Sequence, residues 1–209
     1  MKFLNFDRVL CLAPHPDDVE YAMMGTIRKY QDTHFDIFCM TVGGQFDETS
    51  DRPRHQEVMN VWENVDSNVS LMFSETYYMD ELGHDGWVNF IETKIITDEH
   101  ACIFIPTSDD SHFEHKFVNE LSYPLTRIKN LSIIEYRTPS TLDTWYPNMF
   151  VDITDQFDEK FNQLQYFTSQ KDRWYFQRPV FESFHLNYQS YKKGIKYVEK
   201  FKARQLYRL

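Results

Sequence analysis

Short apolar runs rich in β-branched and aromatic residues recur along the chain at Arg8–Ala13, Phe35–Val42, Val69–Phe73, Ala101–Pro106, Leu131–Arg137 and Met149–Ile153. Each has the length of a strand, and none alternates apolar with polar residues, the pattern of strands covered on both faces. Between them lie longer stretches with apolar residues three and four apart. Val58, Val61, Trp62 and Val65 form one such stripe, and Phe117, Leu121 and Leu125 another. These periods predict helices over Val19–Gln31, Pro53–Val65, Gly86–Thr97, His112–Ile128 and Gln156–Ser169. Strand and helix alternate, which predicts an α/β fold: a Rossmann-like, doubly wound, mostly parallel sheet with helices on both faces. The tail Asn187–Leu209 collects many Lys and Arg residues and reads as a final solvated helix.

The length of 209 residues is that of a single domain spanning 1–209. A hydrophobic content of 42% supports a folded core and excludes a disordered chain. Lys and Arg number 22 against 32 Asp and Glu, a net charge of −10, which argues against nucleic acid as a partner. No apolar stretch approaches the ~18 residues of a membrane span. The start MKFLNFDRVLCLAPH lacks the long apolar region of a secretory signal. Cys11, Cys39 and Cys102 each sit inside an apolar run and match no metal-binding spacing. They read as reduced core thiols of a cytoplasmic protein.

Candidate chemistry gathers where strands are expected to end. After the first strand, LAPHPDDVE places His15, Asp17 and Asp18 within four residues, ahead of a helix. One imidazole and two carboxylates at such a position suit a catalytic metal site, although an Asp there can also simply cap the helix. After the fourth strand, Ser111 and Glu114 have the spacing of a helix capping box. His112 and His115 then share one face of the first turn, beside Asp109 and Asp110. In the strand order 3-2-1-4-5 the first and fourth strands are neighbours at the point where the order reverses, so both clusters would meet in one crevice. A third segment, TVGGQFDETSDRPRHQE, carries Gly43 and Gly44, which permit close backbone approach. It also carries Arg54 and Glu57, three apart, which could be a surface ion pair. The first βα turn has no G-x-G-x-x-G, so a nicotinamide-cofactor reading of this fold fails.

With APHPDDVE, the T-x-G-G segment, R-x-x-E at Arg54–Glu57 and H-x-[DE]-H at His112–His115, the chain resembles the PIG-L/LmbE-like family of zinc-dependent N-deacetylases. The likeness continues through FVDITDQFDEKFNQLQYFTSQ and into VFESF around Glu182, and covers most of the chain. It implies a metal held by His15, Asp18 and His115, with Asp17 as general base. It implies that His112 steadies the oxyanion or protonates the leaving amine, and that Arg54, with Gly43 and Gly44, serves substrate or acetate. Glu114 stands where the family usually has Asp and would orient a histidine or close the capping box. The cofactor implied is Zn2+, and Fe2+, Co2+ or Mn2+ suit the same donors.

The implied substrate is a small N-acetylated sugar, often an N-acetylglucosamine unit on an aglycone, lipid, inositol or nucleotide. The loops Glu75–Asp85 and Thr138–Asn148 are expected to form its rim, with Tyr77, Tyr78, Trp87, Trp145 and Tyr146 as candidate sugar-stacking residues. The alternatives are hydrolysis of a non-acetyl amide, as in a thiol–sugar conjugate or an antibiotic, and a non-catalytic metal-binding module.

Overall fold

The computed structural model describes residues 1–43, 53–63, 65–127, 129–188 and 194–207. Seven strands form one sheet: β1 (Arg8–Ala13), β2 (His34–Cys39), β3 (Val69–Phe73), β4 (His100–Pro106), β5 (Ser132–Tyr136), β6 (Met149–Asp152) and β7 (Val198–Gln205). Their order is β3-β2-β1-β4-β5-β7-β6. The first five pair in parallel, Arg8 opposite His34 and Cys102 opposite Ser132, and β7 runs antiparallel to both β5 and β6. The helices are α1 (Asp18–Lys29), α2 (Pro53–Glu63), α3 (Gly83–Phe90), α4 (Phe113–Leu125), α5 (Phe157–Leu164) and α6 (Arg178–His185).

Side chains alternate across the sheet, so each apolar run feeds two cores. On one face Val9, Cys11, Phe35, Ile37 and Phe104 pack with α1, α2, α5 and α6. On the other, Leu10, Leu12, Phe38, Ile103 and Ile133 meet Trp87 and Val88 of α3 and Val118, Leu121 and Leu125 of α4. Burial on both faces is why these strands read as unbroken apolar runs. Cys11, Cys39 and Cys102 are buried and free, and burial pushes their thiols up.

Three expectations need correction. The tail is not a solvated helix, because β7 inserts between β5 and β6 with Phe201 fully buried. Arg204 of this strand turns inward: it donates to Ser122 Oγ and Asn119 Oδ1, 2.7 Å each, and pairs with Glu135. The third helix is shorter than Gly86–Thr97 implied, since it starts at Gly83 and gives way to a π-helical turn over Ile91–Ile95. The fifth stops at Leu164 rather than Ser169. There the chain turns to bury Phe167 and to bring Thr168 and Ser169 onto the Glu57 carboxylate at 2.6–2.8 Å.

A buried polar knot ties α1, α5, α6 and β7 together. The Lys160 ammonium, fully buried, donates to Glu199 Oε1 and to the Tyr21 carbonyl at 2.6 Å each, and lies 2.9 Å from His185 Nε2. Glu199 also accepts from the Gly25 and Thr26 N–H groups at 2.8 and 2.6 Å. Gly25 permits this approach, since a Cβ there would sit 2.8 Å from Ile153 Cγ2. Lys160→Met strands a buried carboxylate and should cost about 3–5 kcal/mol in urea-unfolding free energy. A loss below about 1 kcal/mol would show that the two backbone donors satisfy Glu199 alone.

Candidate active site

The strand order reverses around β1, whose neighbours are β2 and β4, and the loops after β1 and β4 meet at that crevice. The first loop is sharply bent. Asp17 has φ 134°, a conformation rare for any residue but Gly. The bend is braced from the TVGG segment, where Thr41 Oγ1 donates to the Pro14 carbonyl at 2.7 Å. Arg54, on α2, braces it from the side. Its guanidinium donates to the Gly43 and Pro16 carbonyls at 2.7 and 2.6 Å and lies 3.0 Å from Asp17 Oδ2. Gly43, with φ 93°, is required by this packing: a Cβ there would meet Arg54 Nη1 at 2.5 Å. Arg54 is therefore buried against Asp17 and does not form the surface pair with Glu57. Gly44 lies outside the described residues.

The second loop ends in α4, capped differently from the S-x-x-E expectation. His112 is the N-cap, its Nδ1 accepting from the Glu114 N–H at 3.3 Å. Ser111 Oγ instead donates to the Ser140 carbonyl at 3.0 Å. Glu114 crosses to the first loop, with Oε2 2.6 Å from His15 Nε2, while its Oε1 accepts from the Met79 N–H at 3.2 Å. The extra methylene of Glu relative to Asp thus goes into bridging the two loops.

Asp18 links the histidines. Its Oδ2 accepts from the His15 N–H at 2.8 Å and lies 3.1 Å from His15 Nδ1, and its Oδ1 lies 3.3 Å from His115 Nε2. That last approach lacks hydrogen-bond alignment, so among the described residues His115 Nε2 is buried without a hydrogen-bond partner. On its other side His115 Nδ1 is 3.1 Å from Asp110 Oδ2. Asp110 is completely buried, takes the His112 N–H at 2.8 Å and the hydroxyls of Thr138 and Ser140 at 2.6 Å each, and so fixes both histidines at once. His15, His112 and His115 each offer a ring nitrogen within 4.8 Å of the others and could hold a metal ion.

The electrostatics favour a positive charge in this cluster. Burial opposes charge on His115, but Asp18 and Asp110 outweigh it and raise the imidazole to about 10. Burial likewise works against Asp18, yet the two histidines hold it well below the usual carboxylate range. Asp17 behaves oppositely: burial, and then the Asp18 charge, push it up to about 6 against the pull of Arg54. His112 is lowered by burial and by its two histidine neighbours.

These groups open onto a cleft of about 650 Å3, also walled by Tyr78, Phe113, Gln170, Arg173, Trp174 and Tyr175. Of the aromatic residues expected at the rim, only Tyr78 lines this cleft. Trp87 and Trp145 are buried, Tyr77 is exposed away from it, and Tyr146 borders a separate cavity. Phe113 and Trp174, 68% and 62% exposed, take the place sequence reasoning gave to others. Phe113 could have been found as an aromatic residue between the motif histidines. Trp174 lies beyond the predicted helix Gln156–Ser169, in a stretch to which the sequence pattern assigned no element. Glu182 pairs with Arg178 at 3.0 Å and does not line the cleft.

A family model, PIG-L, GlcNAc-PI de-N-acetylase, matches residues 10–125, more than half of the chain and every one of the clustered residues from His15 to His115. The chain belongs to the PIG-L family. No curated protein matches it in sequence. Among solved structures, N,N′-diacetylchitobiose deacetylase from Pyrococcus horikoshii is similar with TM-score 0.74 and 21% identity, covering 95% of this chain and 84% of that one. The A40926 pseudoaglycone deacetylase Dbv21 gives 0.76 and 12% over 95% and 97%. GalB, the 4-carboxy-2-hydroxymuconate hydratase from Pseudomonas putida KT2440, gives 0.72 and 16% over 100% and 98%. At these identities the likeness is one of fold, and the fold carries more than one chemistry. The family match ends at α4, so Gln170, Arg173, Trp174 and Tyr175 of the cleft wall lie beyond it.

Proposed function

We propose that this PIG-L member is a metal-dependent hydrolase that removes the N-acetyl group from an N-acetylglucosamine-type sugar or conjugate and releases acetate. The convergence of His15, Asp18 and His115 from two distant loops beside the buried carboxylate of Asp17 carries this reading. His15, Asp18 and His115 would hold the ion. The partnerless, buried Nε2 of His115 fits that role, as does a His2Asp donor set, which suits zinc and also Fe2+. When bound, such an ion polarises an amide carbonyl and makes water a stronger acid.

The chain's own groups supply the rest. Asp17 takes the proton of the attacking water on its carboxylate and returns it to the amine nitrogen as the C–N bond breaks. Arg54 and the strained φ hold that carboxylate in place. His112 accepts the Glu114 N–H at Nδ1, so its neutral ring carries its proton on Nε2 and donates to the carbonyl oxygen as negative charge grows there. Tyr78, Phe113 and Trp174 offer faces for the sugar. The deacetylase neighbours are named for N,N′-diacetylchitobiose and for A40926 pseudoaglycone, and the first of these names supports an N-acetyl sugar here.

Asp110 is a positioning residue in this scheme. Asp110→Asn should weaken metal affinity about 10–100-fold, read by competition with a chromogenic chelator, while the fold persists. Unchanged affinity would remove Asp110 from the scheme.

The deciding experiment assays zinc-loaded protein against a panel of N-acetylglucosamine conjugates, detecting acetate and free amine together. Equimolar acetate and amine, abolished by chelation and restored by zinc, is the expected result. Release of a different acyl product, turnover indifferent to metal, or water addition to an unsaturated acid without acyl release would overturn it.

A further inference from the structure

A second cavity, of about 310 Å3, lies between the loop after β5 and the β7-β6 end of the sheet, and shares no lining residue with the cleft above. Two cations face it, Arg137 and Lys200. Among the described residues neither makes a hydrogen bond or an ion pair. Their contacts are aromatic: the Arg137 guanidinium sits 4.3 Å from the Phe184 ring centre, and the Lys200 ammonium 5.7 Å from that of Tyr188. Both are half-buried. Burial lowers both, and the Arg137 charge further lowers Lys200, to about 8, so the two cations repel one another inside a partly dry site. Asp143, exposed and lining the same cavity, is the carboxylate whose charge acts on Arg137.

Trp145, 6% exposed, lines this cavity as well and gives it an aromatic wall. Two cations without an ion-pair partner among the described residues thus border one cavity in a chain whose net charge is −10, so the local positive charge is not a consequence of general basicity. Tyr146, Phe150 and Tyr188 complete the wall and give it flat apolar surfaces. Its volume suits a small ligand.

We propose that this cavity binds a small aromatic oxyanion, a carboxylate or a phosphate monoester, with its charged group between Arg137 and Lys200 and its ring among Trp145, Tyr146 and Tyr188. An anion there relieves the repulsion between the cations and supplies acceptors that the chain does not. Guanidinium and ammonium groups bind carboxylate and phosphate oxygens alike, so the donors define the charge and the walls define the body. The proposal is independent of the deacetylation reading, because none of its residues belongs to the cleft.

The test is titration calorimetry of the metal-loaded protein with phenyl phosphate, benzoate and inorganic phosphate, on the natural chain and on Arg137→Gln and Lys200→Met. One site per chain is expected for phenyl phosphate or benzoate, tighter than for inorganic phosphate, and weakened about tenfold by each substitution. Whichever aromatic anion binds more tightly identifies a phosphate or a carboxylate as the natural group. Should Arg137→Gln fail to fold by circular dichroism, Lys200→Met, which replaces a half-buried amine on β7 by an apolar chain of similar length, carries the test alone. Absence of saturable binding by both aromatic anions would overturn the proposal. So would binding that survives the substitutions, which would put the ligand in the cleft, or inorganic phosphate binding as tightly as the aromatic anions.

Discussion

Replacing Asp17 by Asn is expected to lower turnover of an N-acetyl sugar about 10²–10⁴-fold, the contribution of a positioned base, while leaving metal content near that of the natural chain. The separation follows from the geometry. Asp18, not Asp17, contacts both His15 and His115, whereas Asp17 is turned toward Arg54 by a backbone kink at φ 134°. Asn keeps the size and one oxygen to face the Arg54 guanidinium, but it cannot take a proton from water. Burial and the Asp18 charge raise Asp17 toward neutrality, where a carboxylate is a better base than one left in water. Metal analysis and acetate release measured on the same preparation check the prediction. Near-normal turnover in the variant would move the base elsewhere, and equal loss of metal and turnover would make Asp17 a ligand.

The grouping of His15, Asp17 and Asp18 was legible in the sequence because it is written in one short run, whereas the division of roles between the two carboxylates came from the family resemblance and is what the Asp17 variant tests. His-Pro-Asp-Asp at the end of an apolar strand places its groups by local geometry, and the strand order that joins it to His112 and His115 follows from the alternation of elements. The positions that depend on distant chain were not legible. Asp110 was noticed only as a neighbour, since the hydroxyls that hold it, Thr138 and Ser140, come from the loop after β5. Arg54 looked as ready to pair with Glu57 as with anything else. Only the fold shows that Glu57 holds Thr168 and Ser169 while Arg54 reaches Asp17. The tail misled for a related reason. Lys and Arg at short intervals read as solvated, but Arg204 is neutralised by Glu135, which lies on β5, the strand paired with β7. The aromatic rim was misplaced because burial is not a property of residue type: Trp87 gives its N–H to the Met79 carbonyl at 2.7 Å and sits in the core, while Trp174 stands in solvent.

The same cluster sets a second large effect, and it separates two histidines that the structure leaves close together. His115→Ala should reduce metal affinity by more than about 100-fold and abolish turnover with it, since removing a direct ligand exceeds the loss seen on removing a ligand's support. His112→Ala should retain the metal and lower kcat about 10²–10³-fold, the cost of one donor to a developing oxyanion. Both rings lie within reach of one ion, so proximity alone does not assign them. The surroundings support different roles for the two, which the paired variants test. His115 has its Nδ1 against Asp110 and its partnerless Nε2 beside Asp18, the arrangement of a ring fixed by one carboxylate and presented toward a cation. Among the described residues His112 makes no hydrogen bond or ion pair to a carboxylate through its ring; it is lowered by burial and by both neighbouring histidines, and uses Nδ1 to cap α4. A neutral ring with its proton on Nε2 is a donor toward substrate rather than a ligand. If His112→Ala lost the metal as completely as His115→Ala, the site would hold its ion through three histidines, and the oxyanion donor would have to be sought elsewhere in the cleft.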